Sequence, residues 1–530
     1  MTAKTAGFRR RSGLLIPLFS FPSSASWGIG DIGDIAPMSA WLCSAGQRVL
    51  QLLPINEMAD GECSPYSALS AMAIDPIFIR VPDVPDAAAL GASLLAGDDQ
   101  AQLERLRQAP AVEHAAVRSL KDRVLARAFD RFVAAEWERQ SPRAHALSAF
   151  VARESWWLDD YALFRALHER ESRRPWTGWP EPLRDRAPVA LDAARIDLRR
   201  AVLFQQYLQW VADEQWRRAR HAAHANGVEL FGDLPFMVDR DSADVWAHQS
   251  CFDLDASVGV PPDAFSATGQ DWGMPAYRWD RFAAQDFRWL RDRARRSAAL
   301  YDGYRVDHLV GFYRTYSRPR GGGAPRFEPS AEPEQRALGE RVLAILREPG
   351  AEIVAEDLGT VPDFVRESLA RLGVPGCRVF RWERQWHTDG QPFRDPRDYP
   401  AISFAVSGTH DTEPLAVWWE QATLDEKEQV AALPTIRAVA HGDSLVASAY
   451  APLVRDALLE ALFASGSNLV LMPIQDVFGW RNRINEPATV KPTNWTFKLP
   501  WPCDRLAEQP EAIERRDTLR TWSQRHGRSS

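Results

Sequence analysis

The chain has 530 residues, 45% of them hydrophobic and 25% charged, with a formal net charge of −7. That composition is globular, with ample material for a core, and its mildly acidic balance argues against nucleic acid or an anionic membrane as the main partner. Five scattered cysteines (Cys43, Cys63, Cys251, Cys377, Cys503) have no CxxC spacing, so they predict neither a metal site nor a disulfide framework. With no apolar run of membrane-spanning length, the chain reads as cytoplasmic.

In chain order one unit recurs: an amphipathic helical segment, a Gly or Pro-Gly stop, a short β-rich run, then polar residues. Gly13–Pro17 opens the series, behind an Arg9-Arg10-Arg11 cluster read as a solvated tail. The further runs are Arg48–Pro54, Val228–Asp233, Tyr304–Asp307, Glu352–Glu356, Cys377–Phe380, Ala401–Ser407 and Asn468–Pro473. Eight strands separated by helix-compatible segments predict an α/β fold, a parallel sheet closed into a (β/α)8 TIM barrel, with residues 1–530 as one catalytic unit.

The gap between the second and third strands is far too long for one crossover. Residues 55–226 are therefore read as a mostly helical insertion, with an Ala/Arg/Leu-rich helical stretch around 98–139 and Trp-rich segments beyond it. Smaller insertions are expected at 240–290, as a substrate loop, and at 414–450. Gly321-Gly322-Gly323 followed by several Pro and Glu predicts an exposed loop over 321–335. The charged tail after Trp501 carries no signal. Gly28-Ile29-Gly30-Asp31-Ile32-Gly33 matches GxGxxG, but Phe19 to Trp27 separates it from its strand. It is read as a tight βα loop and not as a nucleotide site.

Residues at the C-terminal ends of barrel strands share one mouth. Three predicted strand ends carry acids: Asp307 on the fourth, Glu356 on the fifth and Asp411 on the seventh. Arg305, two residues before Asp307 and on the same side of its strand, can hold that carboxylate ionised; taken alone, this pair fits a purely structural role better. Three converging acids cost stability unless a reaction or a metal needs them. A divalent metal is the main alternative, although Arg305, His308 and His410 bring positive or donor character of their own. Retaining glycoside chemistry fits better, with Asp307 attacking the anomeric carbon and Glu356, its pKa raised by Asp357 and Asp307, donating the proton. Asp411 would bind sugar hydroxyls and favour the oxocarbenium-like transition state.

The sequence resembles the 4-α-glucanotransferase (amylomaltase, disproportionating enzyme) family, glycoside hydrolase family 77 of the α-amylase superfamily. The resemblance runs from about Gly13 to about Trp495. It is carried by the opening GLLIPLFSFPSS…WGIGDIGD, Ser64-Pro65-Tyr66-Ser67, Phe231-Gly232-Asp233-Leu234-Pro235 and Gly269-Gln270-Asp271-Trp272-Gly273, with Arg305-Val306-Asp307-His308, Glu356-Asp357-Leu358-Gly359 and Thr409-His410-Asp411. It implies the same roles for the three acids. It also implies donor-side contacts from Asp233, Arg305, His308 and His410, and glucan-loop contacts from Ser64, Tyr66, Asp263, Gln270, Trp272 and Asn485. The partners implied are α-1,4-glucans and maltooligosaccharides as donor and acceptor, and glucose, with no cofactor or metal. An α-glucan hydrolase using the same acids and a catalytically inactive glycan-binding protein are the alternatives. One departure concerns the site: where the family has Asn-x-Pro-Gly-Thr, this chain has Asn485-Glu486-Pro487-Ala488-Thr489, which loses the glycine's conformational freedom.

Overall fold

The computed structural model describes residues 9–262, 269–440, 445–446 and 449–529. Eight parallel strands close a barrel: Arg11–Leu15, Val49–Gln51, Glu229–Leu234, Gly303–Val306, Glu352–Ala355, Gly376–Val379, Ser403–Val406 and Leu469–Pro473, each hydrogen-bonded to its neighbours in chain order and the last to the first. All eight expected strands are present. The lumen is filled by alternate residues of these strands, including Val49, Phe231, Val354, Phe404, Val406, Leu469 and Leu471. The opposite faces pack on the surrounding helices in the main core. Gly303 is forced by this interior packing, since a Cβ there would lie 2.5 Å from the Phe231 ring.

The long second crossover is built of helices Pro85–Leu90, Asp99–Gln108, His114–Phe132, Pro142–Arg170, Pro188–Asp197 and Arg199–Ala225. The 98–139 stretch is thus two helices broken at 109–113 rather than one. Arg199–Ala225 lies against Ile35–Ser44 and leads directly into the third strand, so it belongs to the helical ring of the barrel.

Two sequence expectations need correction. The 321–335 stretch is not all loop: Arg326–Glu328 is an edge strand and Glu332 opens a helix reaching Arg347. The three glycines turn the chain, with φ of +83° and +153° at Gly322 and Gly323, so that Arg326–Glu328 pairs with Thr315–Pro319. Phe252–Val260 and Gln270–Tyr277 complete this antiparallel side sheet over the barrel mouth.

The second correction concerns both termini. Arg11 is not in a solvated tail but inside the first strand, where its buried guanidinium pairs with Glu229 and Glu352 at the barrel floor. The tail after Trp501 forms the helix Pro510–Arg525 and then buries Arg528 completely. That guanidinium donates to the carbonyls of Phe463 and Ser467, both at 2.7 Å, and of Ser465 at 3.1 Å. The acceptors exist only once the floor has folded, so nothing local in the sequence marks the residue as buried. Among the described residues no helix is long and apolar enough to cross a membrane.

Candidate active site

The site is built from strand register. Asp233 on the third strand pairs with Arg305 on the fourth, and Val306 pairs with Ala355 on the fifth. Asp307 and Glu356 are the next residues along, so they leave neighbouring strands side by side, and all these side chains face the mouth. Arg305, buried at 6% exposure, joins them. Its Nε donates to Asp233 Oδ2 at 2.8 Å, and its Nη1 to Asp307 Oδ1 at 3.0 Å and to Glu356 Oε2 at 2.8 Å. Nη2 adds a second bond to Asp307 Oδ1 at 3.0 Å and reaches the Tyr66 hydroxyl at 3.2 Å. Tyr66 donates in turn to Asp233 Oδ2 at 2.9 Å. A guanidinium thus fills the position between the acids where a cation would otherwise be needed. Among the described residues, no group of three or more His, Cys, Asp or Glu is arranged to hold a metal ion.

The spacing of the two acids is chemically informative. Their acceptor oxygens share one nitrogen, at 3.0 and 2.8 Å, and even the sum of those lengths falls short of the roughly 6.5 Å that an inverting pair needs. The pair is closer than an inverting mechanism requires.

The electrostatic bias differs from the sequence expectation. Burial raises both carboxyls, but Arg305 and the His308 N–H, donating to Oε2 at 2.7 Å, pull Glu356 below its ordinary value. His308 turns its N–H there by adopting a left-handed backbone, φ +42°. Burial pushes Asp307 well up; Arg305 opposes this, but Glu356 and Asp233 add to it. Asp357, expected to raise Glu356, turns away and accepts from the Cys377 N–H at 2.6 Å. The surroundings therefore bias the pair in opposite directions, Asp307 toward its protonated form and Glu356 toward its ionised form.

Asp411 completes the rim. Its Oδ1 accepts from Asn485 Nδ2 at 2.7 Å, and its Oδ2 lies 3.2 Å from His410 Nε2. Burial works against the charge, yet His410 and Asn485 hold the carboxylate down to about 2. His410 stacks on Tyr66, ring centroids 5.2 Å apart and 18° from parallel. On the opposite wall the Trp272 and His308 rings meet edge-on at 4.8 Å, and Trp272 Nε1 donates to Gln270 Oε1 at 3.1 Å. Burial depresses His308 to about 4, so it is neutral. Ser64 works through Tyr66, its Oγ accepting the Tyr66 N–H at 3.3 Å. Asp263 lies outside the described residues.

The loop bearing Asn485 keeps a left-handed residue without its glycine: Ala488 has φ +57°. Asn494 staples the turn, with Oδ1 accepting the Glu486 N–H at 3.2 Å and Nδ2 donating to the Thr489 carbonyl at 3.0 Å. Ala488→Gly removes the steric penalty at an exposed position. It is expected to stabilise the protein by roughly 0.5–1 kcal/mol, seen as a higher melting temperature with unchanged activity.

The 4-alpha-glucanotransferase family model matches residues 16–504 of this chain. The chain belongs to that family. Its 4-alpha-glucanotransferase relatives include the protein of Thermus thermophilus, 34% identical over 532 residues, with 96% of this chain and 99% of the relative covered. That of Chlamydia pneumoniae is 30% identical over 511 residues, covering 95% and 94%. Among solved structures, the amylomaltase of Streptococcus agalactiae in complex with acarbose superposes with a TM-score of 0.81 at 25% identity, covering 98% of this chain and all of that one. This 4-alpha-glucanotransferase therefore has the family's barrel, with the acids named above at its mouth. The sequence reading did not single out Trp495 and Arg483 as site residues. Trp495 packs on the Tyr66–His410 pair, and Arg483 Nη2 donates to the Asp411 carbonyl at 2.7 Å.

Proposed function

We propose that the enzyme transfers α-1,4-glucan segments with retention of configuration, through a glucosyl ester on Asp307, from a donor maltooligosaccharide or amylose to the 4-hydroxyl of an acceptor glucan or glucose. The observation that carries this reading is the close Asp307–Glu356 pair bound by one guanidinium nitrogen, Nη1 of Arg305, at 3.0 and 2.8 Å. A retaining mechanism needs one ionised and one protonated carboxyl at that separation. As a donor ring enters between the two, Glu356 takes up a proton beside the leaving oxygen, against the bias that Arg305 and the His308 N–H impose. Asp307, now ionised and held by Arg305, attacks the anomeric carbon as Glu356 protonates the departing chain. Glu356 then takes the proton of the incoming 4-hydroxyl as the glucosyl ester is cleaved and Asp307 is released. Asp411, kept ionised by His410 and Asn485, stabilises positive charge developing on the ring.

Transfer outpaces hydrolysis where an acceptor is held against the site in place of water. Trp272 and Tyr66 supply flat apolar faces on either side of the acids for that purpose. Incubating the pure protein with maltotriose tests the reading: glucose together with oligomers longer than maltotriose is the expected product set. Glucose and maltose alone would instead identify a hydrolase, and no turnover a glycan-binding protein.

A further inference from the structure

Trp495 stands outside the roles assigned above, and four features single it out. It is buried at 8% exposure yet holds a left-handed backbone, φ +62°, that a bulky residue adopts only under constraint. Its indole touches both rings of the catalytic rim, with centroids 5.8 Å from Tyr66 and 5.8 Å from His410. Its backbone N–H donates to the Ile484 carbonyl at 2.7 Å, next to the Asn485 that holds Asp411. Its carbonyl accepts from Nε2 of His114 at 2.9 Å, the first residue of a helix in the long second crossover.

The same crossover grips the chain on either side of that point. Val112 N–H donates to the Thr496 carbonyl at 2.9 Å. Lys498 Nζ donates to the carbonyls of Arg107 at 3.0 Å and Ala109 at 2.8 Å, closing the C-terminal end of the helix Asp99–Gln108. A carbonyl can only accept, so His114 carries a proton on Nε2, while burial lowers the pKa of the ring. The helical crossover is thus fastened to the short segment whose Trp495 side chain sits against His410.

We propose that Trp495 is a positioning residue for the reaction. Braced by His114, it fixes the plane of the His410 ring, and through His410 Nε2 the orientation of Asp411 toward the sugar. It does not touch the reacting atoms. The inference rests on the glucan-transfer reading above for the role of Asp411, and it makes the helical crossover part of the catalytic frame.

The test is a double-mutant cycle of Trp495→Ala with His410→Ala, scored as total cleavage of maltotriose bonds. That score is the same whether the cleaved segment goes to a sugar or to water; a failed transfer reading appears separately, in the product set. Trp495→Ala is expected to lower kcat roughly 10–100-fold with KM changed less than about threefold, and Trp495→Phe to recover most of the loss. The double variant is expected to be no worse than His410→Ala, because both changes disturb one unit. His114→Ala gives a second reading at a site remote from the chemistry. It should lower kcat by roughly 3–10-fold in the native background and have no effect in the His410→Ala background. Losses that multiply in either cycle, or a Trp495→Ala effect confined to KM, would overturn the proposal.

Discussion

Replacing Asp307 by Asn is expected to lower the disproportionation of maltotriose by about four orders of magnitude while leaving the fold intact. The substitution keeps shape and polarity but removes the nucleophilic oxygen, so no glucosyl ester can form. It also removes an ion-pair partner from Arg305, which still retains Asp233 and Glu356; the change in stability should therefore be small. Glu356 keeps Arg305 and the His308 N–H, so the variant isolates the loss of the nucleophile. Activity is followed as oligomer formation from maltotriose, and integrity as melting temperature. Wild-type turnover by the Asn variant, in a preparation free of wild-type protein, would remove Asp307 from the mechanism.

The second large effect belongs to Arg305. Arg305→Ala leaves Asp233, Asp307 and Glu356 without their shared cation, in a site from which water is largely excluded. Breaking a buried ion network by removing one partner costs about 3–5 kcal/mol, and turnover should fall by at least about 10³-fold because the two carboxyls lose their common anchor. The pH dependence has a definite sign. A cation favours the ionised form of nearby carboxyls, so its removal raises their pKa in the folded protein above the unfolded values. The variant's destabilisation is then greatest at neutral and alkaline pH and shrinks as pH falls through those raised values, because the folded state takes up protons first. Any residual rate profile moves to higher pH for the same reason. Arg305→Lys keeps the charge but not the fork that binds three carboxylates and the Tyr66 hydroxyl. It should shift the pH profile less than Ala does and still lose most of the activity. Stability curves from pH 5 to 9 for both variants check the sign.

The barrel was legible in the sequence because most strands are announced twice, by a glycine or Pro-Gly stop and by a short β-rich run. Placing acids at the ends of the fourth, fifth and seventh strands then followed from the chain alone. The side sheet was not legible: Phe252–Val260 mixes Asp, Gly and Ser with apolar residues, and its pairing with Thr315–Pro319 is a contact between distant loops. Arg528 and Arg11 look like solvated charges because their partners, floor carbonyls in one case and Glu229 and Glu352 in the other, come from remote strands.

The bias of the Asp307–Glu356 pair was misjudged for a local reason. It depends on the left-handed turn at His308 that aims an N–H at Glu356, and on Asp357 facing the sixth strand instead of its neighbour. Neither orientation is written in residue type. Trp495 was hidden in the same way, since its significance lies in the rings it touches across the mouth.

The central claim is that Asp307 becomes covalently glucosylated with Glu356 as its acid and base. It is tested most directly by trapping the ester in a Glu356→Gln variant supplied with an α-maltosyl fluoride, whose leaving group needs no protonation. Mass analysis of the digested protein should find a maltosyl group on the peptide containing Asp307, and accumulation should cease with Asp307→Asn added. A sugar attached to Asp411 or Asp233, or release of β-maltose with no adduct at any time, would contradict the account.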